Sequence, residues 1–599
     1  MKNRNQTKRL ARILIVLVSS IPLISAAGQS NEQSTRADLI LHNGVIWTGD
    51  SRNSIAQAVA IRDGKFAMVG SNRDALKLRG PQTQVIDLRG QFVTPGFNDN
   101  HVHFASAAQF LEFNIMAVSR QEQFLARVKD VTSALAKGEW IVGGFWGAYD
   151  EWTAGSAGSQ KREPFAPDMK LIESVTADYP VFIRRFDDSQ FAANRAALRA
   201  AGIDPENPSA PEVEFLRDAQ SRFTGHMRGK GVTRLFASIV PRTFSRARRI
   251  QQTKNALAEI RRFGVTNVSD MSDDTQLDIY RELHRKGELT VRVHFRPGLD
   301  RWKEMSEKGI KVGSGDEWIR LGALKGHIDG IMGTSSARFF RPYANNPNNR
   351  GRWRPLMVND KGEFVEGKFL GYMLDADKAG MQLTVHAIGD EANSVLLDYL
   401  EELDRRNGKR DRRFRLVHAQ ILAPKDFKRL GPLRIVAEVQ PFHLSDDMRW
   451  MEERIGAERS KGAYAFKSIQ ASGAVLSFGT DWPGTSASEY PINPMLGLYA
   501  AVTRQTTNGK PEAGWFPDER ISIQDAIRAY TYNTAYANFE EKTKGSIEAG
   551  KLADLTVLSK NLLRIPPKEI LTTEVVYTIV NGKIVYQSVR SRGASGAQP

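Results

Sequence analysis

The chain holds ten histidines in 599 residues, few enough for their placement to carry information. His101 and His103 form a His-Val-His triplet shortly after Gln91-Phe92-Val93-Thr94-Pro95-Gly96. Extended residues two apart face the same side, so both imidazoles can converge on one ion. Taken alone, the triplet also fits two polar side chains in a loop. The other strand ends shift the balance. His386 follows Leu383-Thr384-Val385, His418 follows Arg415-Leu416-Val417, and Asp481 follows Val475-Leu476-Ser477-Phe478-Gly479-Thr480. Lys325 closes Leu321-Gly322-Ala323-Leu324. Imidazole nitrogens and carboxylate oxygens are ligands for zinc-like ions. The chain has no cysteine, which excludes thiolate ligands, a thiol nucleophile and disulfides.

Something must hold these groups on one face. Short apolar segments alternate with charged, helical stretches through the middle of the chain, the rhythm of a parallel α/β sheet. Candidate strands are Phe92–Pro95, Val265–Ser269, Thr290–Phe295, Ile319–Lys325, Gln382–His386, Arg415–His418, Ile435–Val439 and Ala474–Phe478. Eight is the number that closes a (β/α)8 TIM barrel, whose chemistry sits at the C-terminal strand ends. This count assigns Trp140–Phe145 and Val181–Phe186 to an insertion after the first barrel strand. Both chain ends have a different texture. Leu39–Thr48 and Ala58–Val69 read as strands, with Asp63-Gly64 as a hairpin turn. Leu555–Leu558, Val575–Val580 and Ile584–Tyr586 read likewise, with a turn at Asn581-Gly582. One small β domain built from both ends accounts for this, although two separate small sheets would read the same.

The first residues read as a secretory signal. Lys2, Arg4, Lys8, Arg9 and Arg12 precede the apolar run Ile13–Ile24, with small Ser25 and Ala27 following. That run is short for a bilayer span, so cleavage after Ala27, export to periplasm or medium, and no stable membrane insertion afterwards are expected. The formal charge is +16, to which those five basic residues contribute. The remaining Lys and Arg are dispersed and no nucleic-acid module is recognisable, so a basic solvated surface is the reading and a nucleic-acid partner is not expected.

As an ensemble, Val93-Thr94-Pro95-Gly96-Phe97 leading into His101-Val102-His103, with His386, His418 and Asp481, resembles the metal-dependent amidohydrolase superfamily. Lys325-Gly-His-Ile-Asp329-Gly330, Gly479-Thr-Asp481-Trp482-Pro483 and Gln440-Pro-Phe-His443 look like its N-substituted formamide deformylase-like (YtcJ-like) branch. The resemblance runs from about Ala37 to Tyr586. It implies an α/β fold with a composite β-sandwich domain (37–96 and 545–588), a hydrolase barrel (97–544) and an insertion at about 104–263. It also implies one or two divalent metal ions, zinc foremost. His101, His103 and Asp481 would bind one ion, His386 and His418 a second, and Lys325 would bridge them if carboxylated. An ammonium has no lone pair to ligate, so the alternative is a structural Lys325 paired with Asp329 beside a mononuclear site.

With metal-activated water as nucleophile, Asp481 would serve as general base and then acid. His443 is a candidate to polarise the substrate carbonyl, and Asp329, Trp482 and Trp146 are candidates for the pocket wall. Family members often carry Asp-Gly-His where this chain has Asp187-Asp188-Ser189, so a substrate-contacting histidine is missing. His42, His226, His284 and His294 read as structural, and His327 is ambiguous beside Lys325. The expected function is hydrolysis of an amide or formamide-like C–N bond in a small molecule. An ester, lactone or carbamate hydrolase on the same site, or a non-catalytic exported binding or regulatory protein, are the alternatives. Whether the chain forms a homo-oligomer stays open.

Overall fold

The computed structural model describes residues 36–147, 165–242, 244–485 and 488–589. The signal segment read at 1–27 lies outside them. Nine short parallel strands form the centre of the molecule in two sheets. The first sheet has the spatial order β4-β3-β2-β1, made of β1 (Phe97–Val102), β2 (Val265–Asp270), β3 (Arg292–Phe295) and β4 (Ile319–Arg320). The second runs β5 (Ala323–His327), β6 (Gln382–Ala387), β7 (Arg415–His418), β8 (Val436–Val439) and β9 (Val475–Phe478) in sequence order. Helices follow most of the strands, among them Arg246–Arg262, Asp274–Arg285, Glu366–Lys378 and Asp390–Asn407. In Asp274–Arg285 the Asp273 carboxylate caps the Gln276 N–H, and Leu277, Ile279, Tyr280 and Leu283 turn inward. Nearly every strand residue is buried, as expected where a parallel sheet is covered.

The two sheets approach each other at both edges. Val102 bridges Trp482 in parallel, with the Asp481 N–H donating to His101 O at 2.8 Å. On the other side Gly298 bridges Lys325, whose N–H donates to Pro297 O at 2.8 Å. Between the sheets lies a fully buried charge cluster. Arg296, just beyond β3, donates two hydrogen bonds to the Glu438 carboxylate at 2.9 and 3.0 Å, and Arg415 pairs with the same carboxylate.

Both chain ends meet in one mixed six-stranded sheet, ordered 583–587, 575–580, 555–558, 92–95, 45–47 and 55–56. A four-stranded sheet of 65–70, 58–62, 39–42 and 84–87 faces it across a shared apolar core that includes Leu41, Ile46, Val59, Phe66, Val93, Leu555 and Ile579. Tight turns at Asp63-Gly64 and Asn581-Gly582 close two hairpins, each residue at positive φ as the turn demands. Strands 141–146 and 181–185 pair with one another in a separate five-stranded sheet that is built between β1 and β2 and has its own core.

Three strand readings need correction. Phe92–Pro95 pairs with 45–47 and 555–558, not with the parallel strands; β1 starts after it, at Phe97, and carries His101 itself. The chain crosses between layers at Gly96, where a Cβ would sit 2.2 Å from Thr266 Oγ1. Leu39–Thr48 is two strands in different sheets, broken where Asn43 takes a left-handed conformation. Ile319–Lys325 is also two strands, broken at Leu321-Gly322.

Candidate metal centre

The C-terminal ends of the parallel strands open on a cavity of about 550 Å³. His101, His103, Lys325, His386, His418, His443 and Asp481 all line it. His101 on β1 and His103 just beyond its end both reach the cavity. Asp99 does not reach the cavity but braces the strand end from behind. It accepts the His101 and Thr480 backbone N–H groups at 3.0 Å each and the Thr480 hydroxyl at 2.6 Å. Burial pushes its carboxyl up to about 7, against those three hydrogen bonds. One side chain thus ties β1 to the segment after β9 and sets His101 against Asp481.

His101 Nε2 lies 3.5 Å and His103 Nε2 3.2 Å from Asp481 Oδ1. The ligand atoms of these three residues all fall within 4.8 Å of one another. Burial would raise the Asp481 carboxyl, but the hydrogen bond and charge of His103, with His418 and His443, hold it far below the usual carboxylate range. His101 is depressed by burial, with Lys325 and its imidazole neighbours adding to the effect, so the neutral ring is favoured. Lys325 Nζ is 3.4 Å from His101 Nε2. Burial lowers its ammonium to about 7 despite the opposing charges of Asp481 and Glu438.

Two further imidazoles, His418 and His386, have their tautomers set by acceptor oxygens. His418 Nδ1 lies 2.7 Å from Gln440 Oε1, so Nδ1 must donate and Nε2 keeps the lone pair. His386 Nε2 lies 2.9 Å from Gly330 O, which leaves Nδ1 as its lone-pair nitrogen. Such outer partners are what orients metal-binding imidazoles. The His386 and His418 rings are 4.5 Å apart, and His418 is 5.0 Å from His101. His418 and Asp481 both sit at positive φ, 73° and 60°, strained backbone of the kind that clusters at functional sites. Imidazole nitrogens gathered beside an ionised carboxylate fit a divalent ion of the zinc class.

The pocket-wall candidates are distributed differently. Asp329 is fully buried beneath the site. Its oxygens accept the backbone N–H groups of Ile388, Gly389 and Arg338 at 2.8–3.1 Å, and Oδ1 is 3.4 Å from His386 Nε2. Its carboxylate is engaged by backbone and by His386 rather than by Lys325. Trp482 packs edge-on against Phe104 in the main core, and its backbone, not its ring, joins the site. Trp146 lies in the core of the five-stranded sheet against His226. Neither tryptophan lines the cavity. His443 stacks on Tyr490 at 3.9 Å with Nε2 3.3 Å from Thr480 O. Its ring N–H is therefore spent, and polarising a carbonyl would require releasing Thr480 or taking up a second proton. The turn after strand 181–185 contributes Phe186 and Asp187 to the wall, where the sequence lacks the expected histidine. Asp99, Gln440 and the wall residues Arg354, Asp446, Asp447 and Tyr490 were not singled out by sequence. Only Gln440, within the Gln-Pro-Phe-His segment, carried a signal.

A family model described as "Amidohydrolase family" matches residues 84–586. The chain is 33% identical to Protein LONG AFTER FAR-RED 3 of Arabidopsis thaliana, over 96% of this chain and 97% of that protein. It is 28% identical to the putative amidohydrolase YtcJ of Bacillus subtilis (92% and 99% covered) and 25% identical to the N-substituted formamide deformylase of Arthrobacter pascens (92% and 99%). Among solved structures, an uncharacterized metal-dependent hydrolase from Pyrococcus horikoshii superposes with a TM-score of 0.68 at 25% identity, covering 88% of this chain and 99% of that one. The donor set at the strand ends and a match spanning most of the sequence lead to one conclusion: the chain belongs to the amidohydrolase family.

Proposed function

We propose that the protein is a metal-dependent hydrolase that cleaves an amide or formamide-like C–N bond of a small molecule. The observation that carries this reading is the convergence of His101, His103, Lys325, His386, His418 and Asp481 on one cavity. One divalent ion, zinc foremost, would be held by His101, His103 and Asp481. A second would be held by His386 and His418, with a carboxylated Lys325 between the two. A bound ion of this class supplies a water of lowered pKa and a Lewis acid for the carbonyl. The chain's own residues supply the rest. Asp481 is ionised and partly open to the cavity, so its free oxygen takes the proton of the attacking water and returns it to the leaving nitrogen. Gln440 and Gly330 hold two imidazoles in their ligating tautomers. His443, fixed by Tyr490 and Thr480, forms one wall beside the reacting atoms.

The scaffold of this reading is a (β/α)8 barrel in which β4 and β5 act as one strand. The edge hydrogen bonds at Asp481–His101 and Lys325–Pro297 support that closure. Flanking it would be a composite β-sandwich domain of 37–96 and 545–588 and an insertion at about 104–263. Export after cleavage at Ala27 belongs to the same reading. No helix of the described residues is long and apolar enough to cross a membrane.

The test uses protein purified without chelators and supplied with zinc and bicarbonate. Elemental mass spectrometry should find about one or two ions per chain, and His101→Ala should lose most of them. In a screen of formamides and amides with matched esters, Asp481→Asn should lower kcat by about 10²–10⁴-fold, the range of a removed general acid–base. Full activity in both variants would overturn the reading. Faster turnover of the esters would move it to an ester hydrolase on the same site.

A further inference from the structure

The cavity wall carries four carboxylates, Asp187, Asp446, Asp447 and Asp481, and each already has a partner. Asp187 is paired with Arg185 and accepts the Ser189 hydroxyl. Asp446 is paired with Arg449 and accepts the Ser488 hydroxyl at 2.7 Å and the Tyr490 hydroxyl at 3.1 Å. Asp447 accepts from Tyr464 at 2.6 Å and from Gln420. Asp481 belongs to the metal centre. The wall therefore offers no unengaged anion to a cationic substrate.

Among the cations of the wall, Lys325 belongs to the metal centre and Arg454 donates to the Met332 and Gly333 carbonyls, whereas Arg354 differs. Arg354 stands on the same wall, in the loop after β5. Its Nε donates to Asp329 O at 2.9 Å, and its backbone N–H donates to Ile328 O at 2.8 Å. No carboxylate pairs with it among the described residues, and both of its terminal nitrogens lack a protein acceptor there. A guanidinium tethered through Nε keeps its two terminal N–H₂ groups for another acceptor and resists rotating away. A second cavity of about 510 Å³ adjoins the first, lined by Met271, Arg296 and Leu299 among others, with the exposed Asp300 at its rim. Four residues line both cavities: His103, Lys325, His327 and Arg354. Arg354 thus stands at the seam between the two spaces, where the metal centre also lies.

Resting on the hydrolase reading, the geometry points to Arg354 as the specificity-determining residue that binds a carboxylate of the substrate, so that the natural substrate is an anionic amide. Arginine suits this role because its planar fork meets a carboxylate with parallel hydrogen bonds.

Two arms keep this inference separable from the hydrolase reading. In the first, zinc-loaded protein is offered N-formylglycine, N-formyl-β-alanine and N-formyl-γ-aminobutyrate, each against its neutral carboxamide. One chain length should be preferred over its carboxamide by at least about 10-fold in kcat/KM, the weight of a charged hydrogen bond. Arg354→Gln should collapse that ratio towards one, and Arg354→Lys should restore part of it. Neutral analogues turned over as well as the acids, or a ratio unchanged in Arg354→Gln, would overturn the assignment. In the second arm, phenylacetate is titrated calorimetrically into chelator-treated protein, where no metal can hold the carboxylate. Saturable binding that weakens at least about 10-fold in Arg354→Gln supports the site. No saturable binding, or equal binding by the variant, overturns it. Should nothing in the substrate panel be hydrolysed, the hydrolase reading fails while the calorimetric arm still decides the role of Arg354.

Discussion

Replacing Glu438 with glutamine tests how the centre of the fold is held together. The Glu438, Arg296 and Arg415 side chains are wholly excluded from solvent. Both carboxylate oxygens receive Arg296, at 2.9 and 3.0 Å, and Oε1 also faces Arg415. The cluster carries one net positive charge, and burial, which alone would raise the Glu438 carboxyl, is outweighed by the two guanidiniums that lower it. Glutamine keeps the volume and one acceptor but leaves two guanidinium charges uncompensated. A charge pair at about 4 Å contributes ~4 kcal/mol at an effective dielectric near 20. Breaking one partner out of a buried pair costs ~3–5 kcal/mol when measured. The expected loss is therefore about 3–5 kcal/mol, a 10²-fold or greater increase in the unfolding constant. Urea unfolding of metal-free protein, followed by tryptophan fluorescence, reads it directly, and Arg296→Gln added to Glu438→Gln should recover part of the loss. The sign with pH is fixed as well. A carboxylate whose folded pKa is depressed contributes its stability above the unfolded value, and that contribution fades as pH falls through the folded value. Wild type and Glu438→Gln should thus differ fully at pH 7 and converge only in acid, below the ordinary carboxylate range. A loss under about 1 kcal/mol at pH 7 would refute the argument that this charge is compensated in place.

Two further expectations concern the centre itself. Gln440→Ala removes the acceptor that fixes the His418 tautomer, and loss of such an outer partner typically weakens metal affinity about 10–100-fold. Competition with a chromogenic zinc chelator should show this, and unchanged affinity would mean that His418 is not a ligand. The Lys325 ammonium is lowered to about 7 by burial, so the neutral amine that can take up carbon dioxide predominates only above that pH. Metal loading in bicarbonate, and a carbamate signal from labelled bicarbonate in carbon NMR, should rise as pH passes through about 7. Loading that is flat across that range, with no such signal, would leave Lys325 unmodified.

What the sequence revealed and what it concealed divide along a physical line. The residues that line the cavity were legible because most of them close a short apolar run, and the end of a parallel strand is a position that local pattern can specify. The same pattern misassigned Phe92–Pro95, because two consecutive extended runs separated by Gly96 look like one approach to the histidines. Only their pairing partners, 555–558 for one and 265–270 for the other, tell them apart. The aromatic candidates failed to reach the wall for a related reason. Trp146 and Trp482 were read as cavity residues from chemistry alone, yet a large apolar ring near a strand end is most readily absorbed by the nearest core, and both are buried there. Asp99 had the right spacing on β1 but points at Thr480, nearly four hundred positions away in sequence, so its bracing role depends on a contact that no local pattern encodes. Arg354 lies deeper still beyond local reading. It sits in an irregular loop after β5, where neither helical nor strand periodicity assigns a direction to any side chain. Its place at the seam follows from one tether, Nε to the carbonyl of Asp329. Asp329 is itself held by Ile388 and Gly389, directly after the strand that carries His386. The residue that would choose the substrate is thus positioned by the same backbone that positions His386, the proposed metal ligand. A change at Asp329 should therefore disturb metal affinity and substrate preference together, since its carboxylate meets His386 and its carbonyl holds Arg354.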